Sequence, residues 1–122
     1  MVDRPEHILL VEDDLPIREL LATLFEDEGY ALTACASPQQ AMTLLDHGGF
    51  DLVITDGFSK VAGSVMQNTA DIVRRAGATP VVLFSAHTLD IAVALAAGFR
   101  DLITKPFDVD TLLRQVRTQL AH

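Results

Sequence analysis

Five short apolar runs alternate with five stretches of helical periodicity along this chain, and that alternation restricts the fold more than any other feature. The runs are HILLV at 7–11, YALTAC at 30–35, DLVIT at 51–55, PVVLF at 80–84 and DLIT at 101–104. Each has strand length and is mostly apolar, as strands covered on both faces are. Over 15–28, Ile17, Leu20, Leu21, Leu24 and Phe25 fall on one helical face. Asp14 suits the N-cap there, Pro16 the first turn and Gly29 the stop. Ser37-Pro38 opens a second helix to about His47, with Ala41, Leu44 and Leu45 inward, and Gly48-Gly49 ends it. A third helix is expected over 65–75, closed by Gly77. A fourth starts at Thr88 or Asp90, runs to about Ala97 and stops at Gly98. Asp108 caps the last, where Val109, Leu112, Leu113, Val116 and Leu120 share a face. Strands joined by helical crossovers predict an α/β fold: a five-stranded parallel sheet with helices on both faces.

A parallel sheet brings the carboxyl ends of all its strands to one edge, where open α/β sheets keep their chemistry. Glu12, Asp13 and Asp14 follow the first run, Asp56 ends the third, Ser85 the fourth, and Lys105-Pro106 follows the fifth. Carboxylates gathered at one edge repel one another and call for a cation. A few hard oxygen ligands suit Mg²⁺, which keeps several waters and is held by one or two carboxylates plus a phosphate. A carboxylate beside such a metal is a competent nucleophile toward phosphorus, with a lysine ammonium offsetting charge on the transferring group. The expected site is therefore Mg²⁺-assisted, with Asp56 as phosphoryl acceptor. Taken singly, each residue has a plainer reading. Asp14 is a helix cap, Asp56 a turn residue, Ser85 a loop serine, Lys105 a solvated charge. Their coincidence at four of five strand ends favours the joint reading.

Bulk properties narrow the class. The net charge of −8, from 17 acids and 9 bases, leaves no basic patch for nucleic acid. No apolar run approaches the roughly 20 residues that span a bilayer, and the N-terminus MVDRPEH has no signal-peptide core. The single Cys35 is expected to be a small buried hydrophobe in a strand and fits a reducing cytoplasm. Without repeat, linker or low-complexity tract, residues 1–122 read as one domain.

The segments ILLVEDDLPIRELL, DLVITD, PVVLFSA and AAGFRDLITKPF together resemble the receiver domain of two-component response regulators, over essentially the whole chain. The resemblance implies a flavodoxin-like fold with strand order 2-1-3-4-5. It implies that Glu12 and Asp13 hold Mg²⁺, Asp13 directly and Glu12 through water, and that Asp56 is phosphorylated and binds the metal. Phe58 would lend its backbone carbonyl to the metal, Ser85 would be the switch hydroxyl, and Lys105 would contact the phosphoryl group beside a cis Lys105-Pro106 peptide. The phosphodonor would be a sensor histidine kinase, a phosphotransfer protein or a small phosphodonor. Phosphorylation would shift pre-existing states and so change partner binding. Such a domain is not a turnover enzyme.

Three other classes share this α/β pattern. A pseudo-receiver would bind partners without phosphorylation. A flavodoxin-type carrier needs a Ser/Thr/Gly-rich loop after the first strand, where EDDLP stands. An aspartate-nucleophile phosphatase separates its acid pair by one residue and follows it with a Thr or Val, a pattern VEDDLP does not make, and it would not explain Lys105-Pro106. The nine residues IAVALAAGF contain no polar side chain, so apolar surface is expected on the fourth helix, as a dimer or partner face with the fifth strand.

The chain also departs from the family pattern. The segment TDGFSKVAGS lacks the usual methionine-proline pair: Lys60 holds the proline position and Gly63 stands a residue early. The span from Ser85 to Lys105 is short, and Leu102 occupies the switch-aromatic position. Phe58 and His87 occupy positions that influence acyl-phosphate hydrolysis, His87 as a passive rim residue or a pH-sensitive modulator. A bulky Phe58 is expected to shield phosphorus from water. Phe58→Asn should therefore shorten the phosphoryl lifetime, measured as loss of label after removal of donor; an equal or longer lifetime rejects the shielding.

Overall fold

A computed structural model describes residues 5–57, 65–85 and 91–121. In chain order the elements are β1 (His7–Val11), α1 (Leu15–Asp27), β2 (Ala31–Cys35), α2 (Pro38–His47), β3 (Leu52–Asp56), α3 (Val65–Ala76), β4 (Val81–Ser85), α4 (Ile91–Ala96), β5 (Asp101–Thr104) and α5 (Val109–Leu120). The strands form one sheet in the order β2-β1-β3-β4-β5, and every adjacent pair is parallel. The expected α/β architecture and strand order are both present.

Strand alternation builds two cores, because successive side chains point to opposite faces. Ile8, Leu10, Leu52, Ile54, Val82, Phe84 and Ile103 face α1 and α5, where Leu21, Phe25, Leu112, Val116 and Leu120 cover them. Leu9, Val11, Val53, Val81 and Leu83 pack with Ala41, Ile72, Ala94 and Phe99 on the other side. Burying a side chain the size of Phe25 completely is worth about 3 kcal/mol. β1, β3 and β4 are buried along nearly their whole length, which leaves polar chemistry to their edge.

The helix starts follow local hydrogen bonding. Asp14 Oδ1 accepts from the Ile17 N–H at 3.1 Å. Ser37 Oγ accepts from the Gln40 N–H at 3.2 Å, and Gln40 Oε1 reaches back to the Ala36 N–H at 2.8 Å, so two donors are satisfied around one turn. Asp108 Oδ2 accepts from the Thr111 N–H at 3.0 Å and the Thr111 hydroxyl at 2.9 Å. These bonds hold the Asp108 carboxyl below its ordinary value.

Several expectations need correction. Leu20 is 50% exposed, and Val109 is 39% exposed. At about 100° per residue, Leu20 falls on the outer margin of a stripe centred between Leu21 and Phe25. Val109 is the first residue of α5, ahead of the turn that reaches the sheet. The third and fourth strands each run one residue further than the apolar runs, so Asp56 and Ser85 lie within strands. The proposed starts of the fourth helix, Thr88 and Asp90, lie outside the described residues, and its described turns end at Ala96. The apolar surface expected there is present: Ile91, Val93 and Leu95 are exposed, while Ala94 is buried. Cys35 is buried, as expected. Among the described residues, no helix is long and apolar enough to cross a membrane.

One glycine sets how the α4–β5 connection meets α3. Gly98 has φ +101°, and a Cβ there would come within 2.7 Å of Val73 Cγ1. Left-handed backbone alone costs a residue with a Cβ roughly 1–2 kcal/mol. Gly98→Ala should therefore destabilise the fold by at least about that much in urea unfolding; parent stability would show that neither the turn nor the contact is tight.

Candidate functional site

The carboxyl edge of the sheet gathers residues from distant parts of the chain. Glu12 follows β1, and its N–H donates to the Cys35 carbonyl of the neighbouring β2 at 3.0 Å. Asp56 is the last residue of β3 and pairs in register with Phe84. Ser85 closes β4 opposite Thr104. The Lys105 N–H donates to the Ser85 carbonyl at 2.8 Å, which ties the end of β5 to the end of β4.

Lys105 Nζ donates to Glu12 Oε1 at 2.9 Å and to Asp56 Oδ1 at 3.0 Å. Glu12 is only 1% exposed as a side chain, against 17% for Lys105 and 14% for Asp56. The second Glu12 oxygen accepts from the Asp14 N–H at 3.1 Å. Burial pushes the Glu12 carboxyl above its ordinary value, and Asp56 adds to the rise, although Lys105 and the Asp14 N–H oppose it. Burial acts against the charged form of Lys105, but its bonds to Glu12 and Asp56 prevail and raise its pKa. The lysine therefore stays charged across the neutral range. The Phe84 ring lies 4.7 Å from Nζ, a cation–π distance, and Phe107 packs on that ring with centroids 5.3 Å apart.

Oxygens of Glu12, Asp13 and Asp56 lie within 4.8 Å of one another. Three carboxylates against one ammonium leave an excess of negative charge, and all the donors are hard oxygens. That donor set fits a divalent cation such as Mg²⁺. Asp13 is exposed, so its carboxylate is open to a hydrated ion.

A response regulator receiver domain model matches residues 8–117. The chain belongs to that family. The transcriptional regulatory protein GlrR of Escherichia coli (strain K12) is 32% identical over 119 residues, covering 95% of this chain and 26% of GlrR. The transcriptional regulatory protein CpxR of the same strain is 32% identical over 115 residues, covering 93% of this chain and 48% of CpxR. The chain thus spans about a quarter to a half of these relatives. A response regulator from Thermotoga maritima shares the fold with a TM-score of 0.82 at 23% identity, covering 97% of this chain and 99% of that one. Receiver domains of response regulators are signalling domains rather than turnover enzymes.

Within this receiver domain, Glu12, Asp13, Asp56 and Lys105 come together, and Ser85 is buried at the adjoining strand end. The Lys105-Pro106 peptide is cis, as expected. Leu102 is half-buried against the Leu83 and Phe99 core, with no ring at that position. Phe58, His87 and the loop from 58 to 64 lie outside the described residues. Two contributors went unread in the sequence. Phe84 had the appearance of core alone, although its place opposite Asp56 sets it beneath the site. Arg18 donates from Nη1 to the Glu12 carbonyl at 2.8 Å; backbone acceptors leave no residue-type signature.

Removing the lysine charge tests the pairing. Lys105→Met should push Glu12 higher still, because its largest opposing influence disappears. Carboxyl ¹³C titration reads this directly, and an unmoved Glu12 would dismiss the ion pair.

Proposed function

We propose that this domain accepts a phosphoryl group on Asp56 from a histidine kinase or phosphotransfer protein and so switches its contacts with a downstream partner. The observation that carries the reading is the Lys105 ammonium shared between Glu12 and Asp56, with Asp13 beside them. An Asp56 carboxylate oxygen attacks phosphorus as the bond from phosphorus to the donor's imidazole nitrogen breaks. The electron pair of that bond leaves with nitrogen, and an acyl phosphate forms. Glu12, Asp13, Asp56 and the Phe58 carbonyl would hold Mg²⁺, Asp13 directly and Glu12 through water. Bound there, Mg²⁺ would neutralise phosphoryl oxygens and orient the group in line. Lys105 turns from its carboxylate partners to a phosphoryl oxygen, and the Ser85 hydroxyl donates to another. Water later cleaves the acyl phosphate, and the domain slowly resets itself.

Residues 1–122 act as one such domain in the cytoplasm. With Leu102 in place of a ring, the Ser85 half of the switch carries the response. The output surface is α4 with β5, where Ile91, Val93 and Leu95 are exposed. It serves a downstream protein or a second copy of the chain, and the domain itself does not bind nucleic acid.

Beryllofluoride, a phosphoryl mimic, separates this reading from a phosphorylation-independent interaction module. With Mg²⁺, the parent should bind one equivalent by calorimetry, and Asp56→Asn should bind none. Sedimentation of the same samples should show association that Val93→Glu abolishes. A parent that ignores beryllofluoride refutes the phosphoacceptor; binding without any change in self- or partner association refutes the switch surface.

A further inference from the structure

The short loop between β1 and α1 carries both acids of the proposed metal site that come from the N-terminal part of the chain. Its backbone is held at nearly every polar atom. The Glu12 N–H donates to Cys35 O at 3.0 Å, and the Asp14 N–H donates to Glu12 Oε2 at 3.1 Å. The carbonyls of Glu12 and Asp13 point the other way, toward Arg18 in the first turns of α1. Arg18 Nη1 donates to the Glu12 carbonyl at 2.8 Å and lies 3.5 Å from the Asp13 carbonyl.

Electrostatics alone gives no reason for a cation here. The start of a helix is the positive end of its dipole, and a fixed positive charge beside a divalent-cation site repels the ion. The Arg18 bonds go to backbone oxygens and not to the neighbouring carboxylates. Those two carbonyls define the peptide planes on either side of Asp13. Rotating either plane would swing the Asp13 side chain, which is exposed. We infer that Arg18 is a positioning residue for the metal site: its guanidinium fixes the peptide planes of Glu12 and Asp13 and so aims their carboxylates toward Asp56.

This inference rests on the metal site proposed above, and it makes a prediction whose sign separates positioning from charge. Mg²⁺ alone is titrated into the chain by calorimetry. Arg18→Gln should weaken Mg²⁺ binding by about ten-fold, the lower end of what loss of a supporting hydrogen bond does to metal sites. Arg18→Lys, which keeps the charge on a shorter, single-headed donor, should weaken it less. Charge removal by itself would tighten binding, so an Arg18→Gln chain that binds Mg²⁺ as well as the parent, or better, overturns the inference. Thermal melts without Mg²⁺ establish that each variant is folded. Should Arg18→Gln unfold, the charge-neutral change Arg18→Lys decides: weaker binding supports positioning, and parent affinity overturns it. A parent chain that fails to bind Mg²⁺ overturns the metal-site reading itself, and the positioning role with it.

Discussion

The site depends on one ammonium group held between two carboxylates. Glu12 is almost wholly removed from water, and an unpaired carboxylate in that position would neutralise itself by taking up a proton. Lys105 opposes this, though burial still prevails and raises the Glu12 pKa, and the lysine can do so because it is itself fixed. Its N–H is bonded to Ser85 of the adjacent strand, and the Phe84 ring lies under its charged end. Removing one member of such a pair leaves the other buried without compensation, a loss of roughly 3–5 kcal/mol in comparable settings. A cluster of carboxylates whose oxygens lie within 4.8 Å of one another is thereby kept from simply repelling itself.

The three residues are far apart in the chain: Lys105 is 93 positions from Glu12 and 49 from Asp56. Their meeting is a property of the topology. With β1 and β3 adjacent at the centre of the sheet, the acids that follow them are neighbours without any loop having to travel. Lys105 arrives from β5 across the end of β4, over a fully buried strand whose residues pack into both cores. The polar edge therefore sits directly on the buried centre of the sheet, whose strands pack into both cores.

Much of this was legible beforehand, because strands and helices write different periods into a sequence. The caps Asp14, Ser37 and Asp108, the inward faces of α2 and the convergence of acids with a lysine all followed from spacing and residue type. What escaped follows a pattern. Leu20 and Val109 are apolar residues at helical spacing that lie beyond the sheet's footprint, and periodicity cannot show where a sheet stops. Asp56 and Ser85 belong to their strands because the ladder continues past the last apolar residue, and polar side chains hide that continuation. Phe84 reads as core since its second role depends on which residue lies across the ladder. Arg18 reads as an ordinary helix charge because its partners are carbonyl oxygens, which every residue possesses.

The two sides of the α4–β5 region are built differently, and the difference bears on how a partner would engage it. β5 is an edge strand, a position that invites pairing with another chain. At Leu102 that edge is already satisfied: the N–H donates to Asp101 Oδ1 at 2.8 Å, and the carbonyl accepts from Gln115 Nε2 at 3.2 Å. Gln115 also donates to Asp101 Oδ2 at 3.1 Å, which locks the acid that covers the strand to α5. Strand addition at this point would have to break all three bonds. On α4, by contrast, three large apolar side chains project outward from a helix anchored by buried Ala94 and by Phe99 just beyond it. A partner meeting this region therefore gains by covering side chains of α4, while the backbone of β5 at Leu102 offers it nothing unpaired.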